Sequence, residues 1–306
     1  MQNTPPRSAA RLGADFGLRL ELSINELLWV FICNVRSPTD FPGPVTHTSK
    51  SCGGGTRTPR QSPQDRPRPT GQDIALDARG HDLTSNRLLE MLPRTDLQTL
   101  SPSMTFVDLA QGFLLFDPGE EVEQVYFPVS GMVSLVVVMQ DGKAIEVATV
   151  GREGVVGAMA GLGLHHAKVR AIVQLPSTAY RISAAHLRRA AEASASITDL
   201  CIQYNEVLLD QARVTAACNA LHLVEARLCR WLLQSRDRAE SDTIMLTQEF
   251  LSDMLGVRRT SVTEVARKIQ ASGAISYSRG AIKILDLKAL KELSCECYDT
   301  LREGKS

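Results

Sequence analysis

The sequence has no excess of charge of either sign: Lys+Arg and Asp+Glu total 34 each. That excludes a chain that is basic throughout, although a local basic face can hide in a neutral total. Long apolar runs are missing too. The longest near the N-terminus is Leu27 to Cys33, seven residues between Glu26 and Asn34, far short of the ~20 that span a bilayer. Asp15, Glu21 and Glu26 also interrupt the apolar segment that a secretory signal needs. The seven cysteines (33, 52, 201, 218, 229, 295 and 297) do not form the even framework of a small secreted domain. Reduced thiols in a cytoplasm are therefore expected.

A chain of 306 residues has room for two domains and a linker. Residues 41–72 hold six Pro, five Gly and eight Ser/Thr, 19 of 32 positions, a composition unable to offset its ordering entropy. We read residues 1–83 as a disordered low-complexity extension. The first 70 carry nine Lys/Arg against five Asp/Glu, so the tail is a solvated segment, a translation start set too far upstream, or a basic arm on DNA. Thr84-Ser85 reads as the cap of a short helix over 86–92.

Seven β-type runs follow, over 105–109, 112–116, 124–128, 132–139, 143–150, 168–174 and 177–182, separated by turn signals such as Asp141-Gly142. Short strands without long intervening helices indicate a jelly roll, over residues 84–192. Ser183 caps a helix, and a longer helical pattern over 193–222 follows. There Ile197, Leu200, Tyr204, Val207, Gln211, Val214, Cys218 and Leu221 alternate by three and four, and the seven-residue spacing runs on to Leu228. This stripe predicts a coiled-coil dimer seam with a Gln211 pair fixing register, against the alternative of a helix lying on its own domain.

In residues 223–306 the informative segment is Leu246 to Gln270. Thr247 caps a helix with apolar Phe250, Leu251, Met254 and Leu255, Gly256 ends it, and a second helix buries Val262, Val265, Ala266 and Ile269. Helix, glycine turn and helix are the parts of a DNA-binding helix-turn-helix. Arg258, Arg259, Thr260, Ser261 and Glu264 lie in the first two turns of the second helix, where base edges are read, and Arg267 and Lys268 extend the basic side. A hairpin around Ser278-Arg279-Gly280 would be a wing whose Arg279 reaches the DNA backbone.

The order of parts, with Asp117-Pro-Gly-Glu120, Val125-Tyr-Phe-Pro-Val-Ser-Gly131, Val169-Arg-Ala171, Val224-Glu-Ala-Arg-Leu228 and Thr247 to Ile269, resembles the Crp/Fnr regulators. The resemblance runs from about Ser85 to about Leu285. It implies an α+β protein with a cyclic-nucleotide-binding-type jelly roll, a dimerisation helix and a C-terminal winged helix-turn-helix. The implied partners are a second copy, inverted-repeat duplex DNA and RNA polymerase, in an activator or a repressor that is not an enzyme. It also implies that Thr247 and Ser261 touch phosphates and that Arg259 reads a guanine. Thr260 and Glu264 depart from the cyclic-AMP-responsive pattern, so a different operator is expected.

The sensor departs further. Ala158 stands after Gly157 where the pattern has Glu, His165 stands where it has the phosphate-binding Arg, and Arg170 matches an Arg at a strand position. Cyclic AMP is therefore not the expected effector. If a ligand binds, the candidates are Gly157, Ala158, His165, His166, Arg170 and Arg213 of the long helix; a regulator without an effector is the alternative. No cofactor or metal is expected: Cys33 and Cys52 are isolated, Cys295 and Cys297 read as exposed unpaired thiols, and His165-His166 reads as loop surface. A cupin-type jelly-roll metalloenzyme is the alternative from another class. It would need a His-x-His followed by Glu, which the six histidines (His47, His81, His165, His166, His186, His222) do not supply in the strand region.

Overall fold

The computed structural model describes residues 80–278 and 280–303, so nearly all of the extension, and Arg279, lie outside the described residues. The first helix, α1 (Arg87–Glu90), is capped by Asn86 instead of Thr84 or Ser85. The reason is hydrogen-bond satisfaction at a buried site. Asn86 Oδ1 accepts from the N–H groups of Leu88 and Leu89, and Nδ2 donates to the carbonyls of Pro128 and Gly154. Helix α2 (Arg94–Leu100) leads into the strands.

The strands are β1 (Thr105–Leu109), β2 (Leu114–Phe116), β3 (Gln124–Pro128), β4 (Met132–Val138), β5 (Ala144–Val150), β6 (Arg170–Leu175) and β7 (Ser177–Ser183). They fall where the runs of β-type residues predict them, within about two residues. Two antiparallel sheets form, ordered β1-β7-β3 and β2-β6-β4-β5. Helices α3 (Ala184–Ala193) and α4 (Ala195–Leu221) follow, with Ser183 and Ser194 as side-chain caps.

Strand β4 shows how period-two alternation builds the molecule. Val133 and Leu135 point into the jelly-roll core. Met132 and Val136, on the opposite face, belong instead to the core of the C-terminal domain. One strand thus serves two cores.

The long helix departs from its predicted role. Ile197, Leu200 and Tyr204 are buried in the jelly-roll core of their own chain, and Val207 packs against it. Gln211 is buried and its Oε1 accepts from the Thr149 backbone N–H at 3.2 Å, within its own chain. Val214 and Cys218 pack with Cys295, Cys297 and Ala226, and Leu221 is exposed. The predicted stripe is mostly an intrachain face: sustained apolar spacing fixes a buried side, and the sensor supplies its cover. The heptad does not reach Leu228. The helix ends at Leu221, His222 and Leu223 are extended, and Leu228 lies within the next helix.

That helix, α5 (Val224–Ala239), opens the C-terminal domain. β8 (Thr243–Met245), α6 (Gln248–Leu255), α7 (Arg259–Ala271), β9 (Ile275–Ser278), β10 (Ala281–Ile284), α8 (Leu287–Leu293) and α9 (Cys297–Glu303) follow. Its sheet is ordered β8-β10-β9; β8 was not predicted, since three residues carry too little pattern. No described helix is long and apolar enough to cross a membrane.

Candidate nucleic-acid interface and effector cavity

The helix-turn-helix is built by three local devices. Thr247 Oγ1 accepts the Phe250 N–H at 3.2 Å, which starts α6. Gly256 ends it at φ +63°, a left-handed conformation, where a Cβ would lie 2.9 Å from Ile145 Cδ1. Leu251, Met254 and Leu255 then bury against Val262 and Ile269 of α7, while Thr263 Oγ1 donates to Gln248 Oε1 at 2.8 Å.

These contacts turn one side of α7 outward. Arg258, Arg259, Thr260, Glu264, Arg267 and Lys268 are exposed and Ser261 is half-buried. Arg258, Arg259 and Arg267 form no ion pair among the described residues, whereas Lys268 Nζ lies 3.9 Å from Glu225 Oε2 of α5. Thr247, Gln248, Arg259, Tyr277, Ser278 and Gly280 line a cleft of about 400 Å³ between the two helices and the hairpin. Gln248 and Tyr277 were not predicted; Gln248 directly follows the Thr247 cap, which was the available signal. Burial pushes the Tyr277 phenol up, against the opposing charge of Arg259.

The second site is a cavity of about 500 Å³ in the jelly roll. Phe116, Leu135 and Ala148 of the strands wall it, together with the turn from Gly157 to Ala160, His166 and Lys168 of the following loop, and Tyr204, Leu208 and Leu209 of α4. Gly157 and Ala158 are therefore at the predicted place, and so is His166. The other predicted ligand groups do not line the cavity. Arg170 is held by Asp117, with Nε 2.5 Å from Oδ1 and Nη2 3.0 Å from Oδ2. His165 is bonded to Arg188, and Arg213 pairs with Glu206 and Asp210 on exposed α4 surface. Each found a nearer charged or polar partner. Tyr204, which lies against Gly154, is buried and its hydroxyl has no hydrogen-bond partner among the described residues.

Between the two sites lies a polar junction that sequence reasoning missed. Glu146 of β5 is buried; Trp231 Nε1 of α5 donates to its Oε1 at 2.9 Å, and Ser134 Oγ of β4 lies 2.5 Å from its Oε2. Burial pushes the Glu146 carboxyl up to about 7, against the Ser134 bond and the charges of Arg230 and Arg238. Arg238 Nη2 of α5 also pairs with Glu153 at 2.9 Å, with the arginine side chain only 4% exposed.

The cysteines correct a further expectation. Cys295 and Cys297 are buried, and they meet Cys218 and His222, with all four ligand atoms within 4.8 Å of one another. The hydrogen bond with Cys295 holds the Cys218 thiol well below the usual range, helped by Arg230. The histidines of the strand region do not gather as a cupin centre requires: His165 bonds Arg188 and His186 bonds Ser183.

A family model for the cyclic nucleotide-binding domain matches residues 106–194, and one for the Crp-like helix-turn-helix domain matches residues 226–293. Several solved structures are similar in fold. A transcriptional regulator of the Crp/Fnr family from Eubacterium rectale is 17% identical with a TM-score of 0.57, over 69% of this chain and 98% of its own. A Crp/Fnr-family regulator from Thermus thermophilus is 22% identical with a TM-score of 0.53, over 62% and 98%. The c-di-GMP-responsive global regulator of Xanthomonas campestris is 18% identical with a TM-score of 0.53, over 63% and 99%. A search of curated protein sequences finds no match.

Proposed function

Because the chain belongs to the Crp/Fnr family of transcriptional regulators, we propose that it acts as a homodimeric, sequence-specific DNA-binding regulator in the cytoplasm, with RNA polymerase as a partner. Its role is regulatory and not catalytic. The observation that carries this reading is the start of α7, where exposed Arg259, without an ion pair among the described residues, shares a cleft with Thr247. A guanidinium in that position can donate two hydrogen bonds to guanine O6 and N7, while Thr247 and Ser261 can bond phosphate oxygens.

The dimer seam of this proposal lies on the side of α4 that its own sensor leaves uncovered. Ile202, Leu209 and Ala216 are exposed there, seven residues apart. Leu209 also walls the cavity, so an occupant would act on the seam directly. The cavity walls favour an apolar effector with one small polar group, for which the Tyr204 hydroxyl and Lys168 are the partners. Cyclic AMP is disfavoured, since Ala158 supplies no carboxylate to the ribose and Arg170 is held by Asp117.

Selection of bound fragments from random duplex DNA with the purified full chain tests the reading. The expected result is an inverted repeat with half-sites about one helical turn apart. Recovery of no common sequence would overturn it. For the effector, thermal melts with cyclic AMP and with medium-chain carboxylic acids should show stabilisation by the acids alone.

A further inference from the structure

We propose that Cys218, His222, Cys295 and Cys297 form a tetrahedral site for one zinc-type metal ion, which fastens the end of helix α4 to the C-terminal segment of the DNA-binding domain. Two ligands come from one helix end: His222 caps α4, its backbone N–H donating to the Cys218 carbonyl at 3.0 Å, and its ring lies beside the Cys218 thiol. The other two flank Glu296, where the chain turns from α8 into α9, which packs on α4 and α5.

The spacing suits one ion. A zinc–sulfur bond of about 2.3 Å in a tetrahedron puts two sulfurs about 3.8 Å apart, and a sulfur and an imidazole nitrogen slightly closer. Here Cys218 Sγ and Cys295 Sγ are 3.5 Å apart, and Cys297 Sγ lies 3.6 Å from His222 Nδ1. An iron–sulfur cluster distributes its four ligands over more than one iron, so the full set spans more than the 4.8 Å that encloses all four ligand atoms here.

The surroundings agree. His222 Nε2 lies 3.2 Å from Glu296 Oε1; a carboxylate on the far nitrogen aims Nδ1 at a metal and raises its basicity. Three thiolates and a neutral imidazole around a dication leave one negative charge. Arg227 and Arg230, both buried, are in electrostatic reach of Cys218, and the Nε of each has no hydrogen-bond partner among the described residues. The three thiol protons leave to solvent as the ion binds, and no oxidant or reductant is required.

Metal analysis of the full chain, purified under reducing conditions and dialysed against a weak chelator, tests the proposal. About one zinc per chain is expected, and cobalt exchanged into the site should show the ligand-field bands of a tetrahedral thiolate centre. Cys297→Ser should weaken metal binding more than 10-fold and Glu296→Gln about 10-fold, while His222→Cys keeps four ligands and should keep the metal. Cys229→Ser, a buried thiol outside the cluster, controls for damage to the fold. Wild-type protein that is folded, with all thiols titratable and no affinity for zinc or cobalt, would overturn the proposal. So would iron with acid-labile sulfide, or a Cys218–Cys295 disulfide in its place.

Discussion

The helix-turn-helix surface and the jelly-roll cavity carry the same kind of sequence clue, polar residues at family positions, yet the fold treats those residues differently. On α7 the arginines are exposed and form no ion pair among the described residues. At the cavity Arg170 and His165 are held by Asp117 and Arg188, and the walls that remain are mostly apolar. The difference teaches that a charged group is available to a ligand only when the fold gives it no partner of its own. A position in a motif does not settle that.

The largest effect is expected at α4, where exposed Leu209 both lines the cavity and belongs to the proposed seam. Ile202→Lys combined with Leu209→Lys should yield monomers and lower operator affinity on the order of 100-fold or more, through loss of the second half-site. Sedimentation and quantitative operator binding check this. A double variant that stays dimeric would place the seam elsewhere.

The next effect concerns the junction between the two sites. Burial raises the Glu146 carboxyl from its ordinary value of 4.5 to about 7 in the folded chain. In that interval the folded chain holds the proton that the unfolded chain releases. Stability should therefore fall as pH rises through the window, by up to about 3 kcal/mol. Glu146→Gln should flatten this slope in pH-dependent denaturant melts; an unchanged slope would assign the dependence to other groups.

A third test returns to the recognition helix. Arg259→Ala should cost ~1–3 kcal/mol at one guanine of each half-site and relax the preference there. A uniform loss over a set of single-base operator variants would make Arg259 a phosphate contact. The smallest effect belongs to Arg170→Ala. Its pair with Asp117 is partly exposed, so screening keeps the stability loss below about 1 kcal/mol, and effector-induced shifts in melting temperature should not change. If they vanish, Arg170 does reach the ligand.

What was legible in the sequence was local. Thr247, Gly256 and the apolar positions between and beyond them lie within one short segment, and capping and periodicity specify it. The strands were legible because each run carries its own turn signals. The stripe on α4 marked a buried face, but spacing alone does not say whether a partner helix or the chain's own sensor covers it. Contacts between residues 70 or more apart left no local trace: Cys218 with Cys295 is separated by 77 residues and Glu146 with Trp231 by 85. A buried glutamate reads in sequence like any exposed one.

The shared strand β4 has a consequence for folding. Since its alternate side chains complete two cores, removing the C-terminal domain would leave Met132, Val136 and Leu175 facing water, and would strip Trp231 and Leu228 of their cover. Neither half then has a finished interior of its own. The two should melt in one cooperative transition, with a calorimetric enthalpy set by both together, and a protease cut between α4 and α5 should release fragments that aggregate instead of two soluble domains.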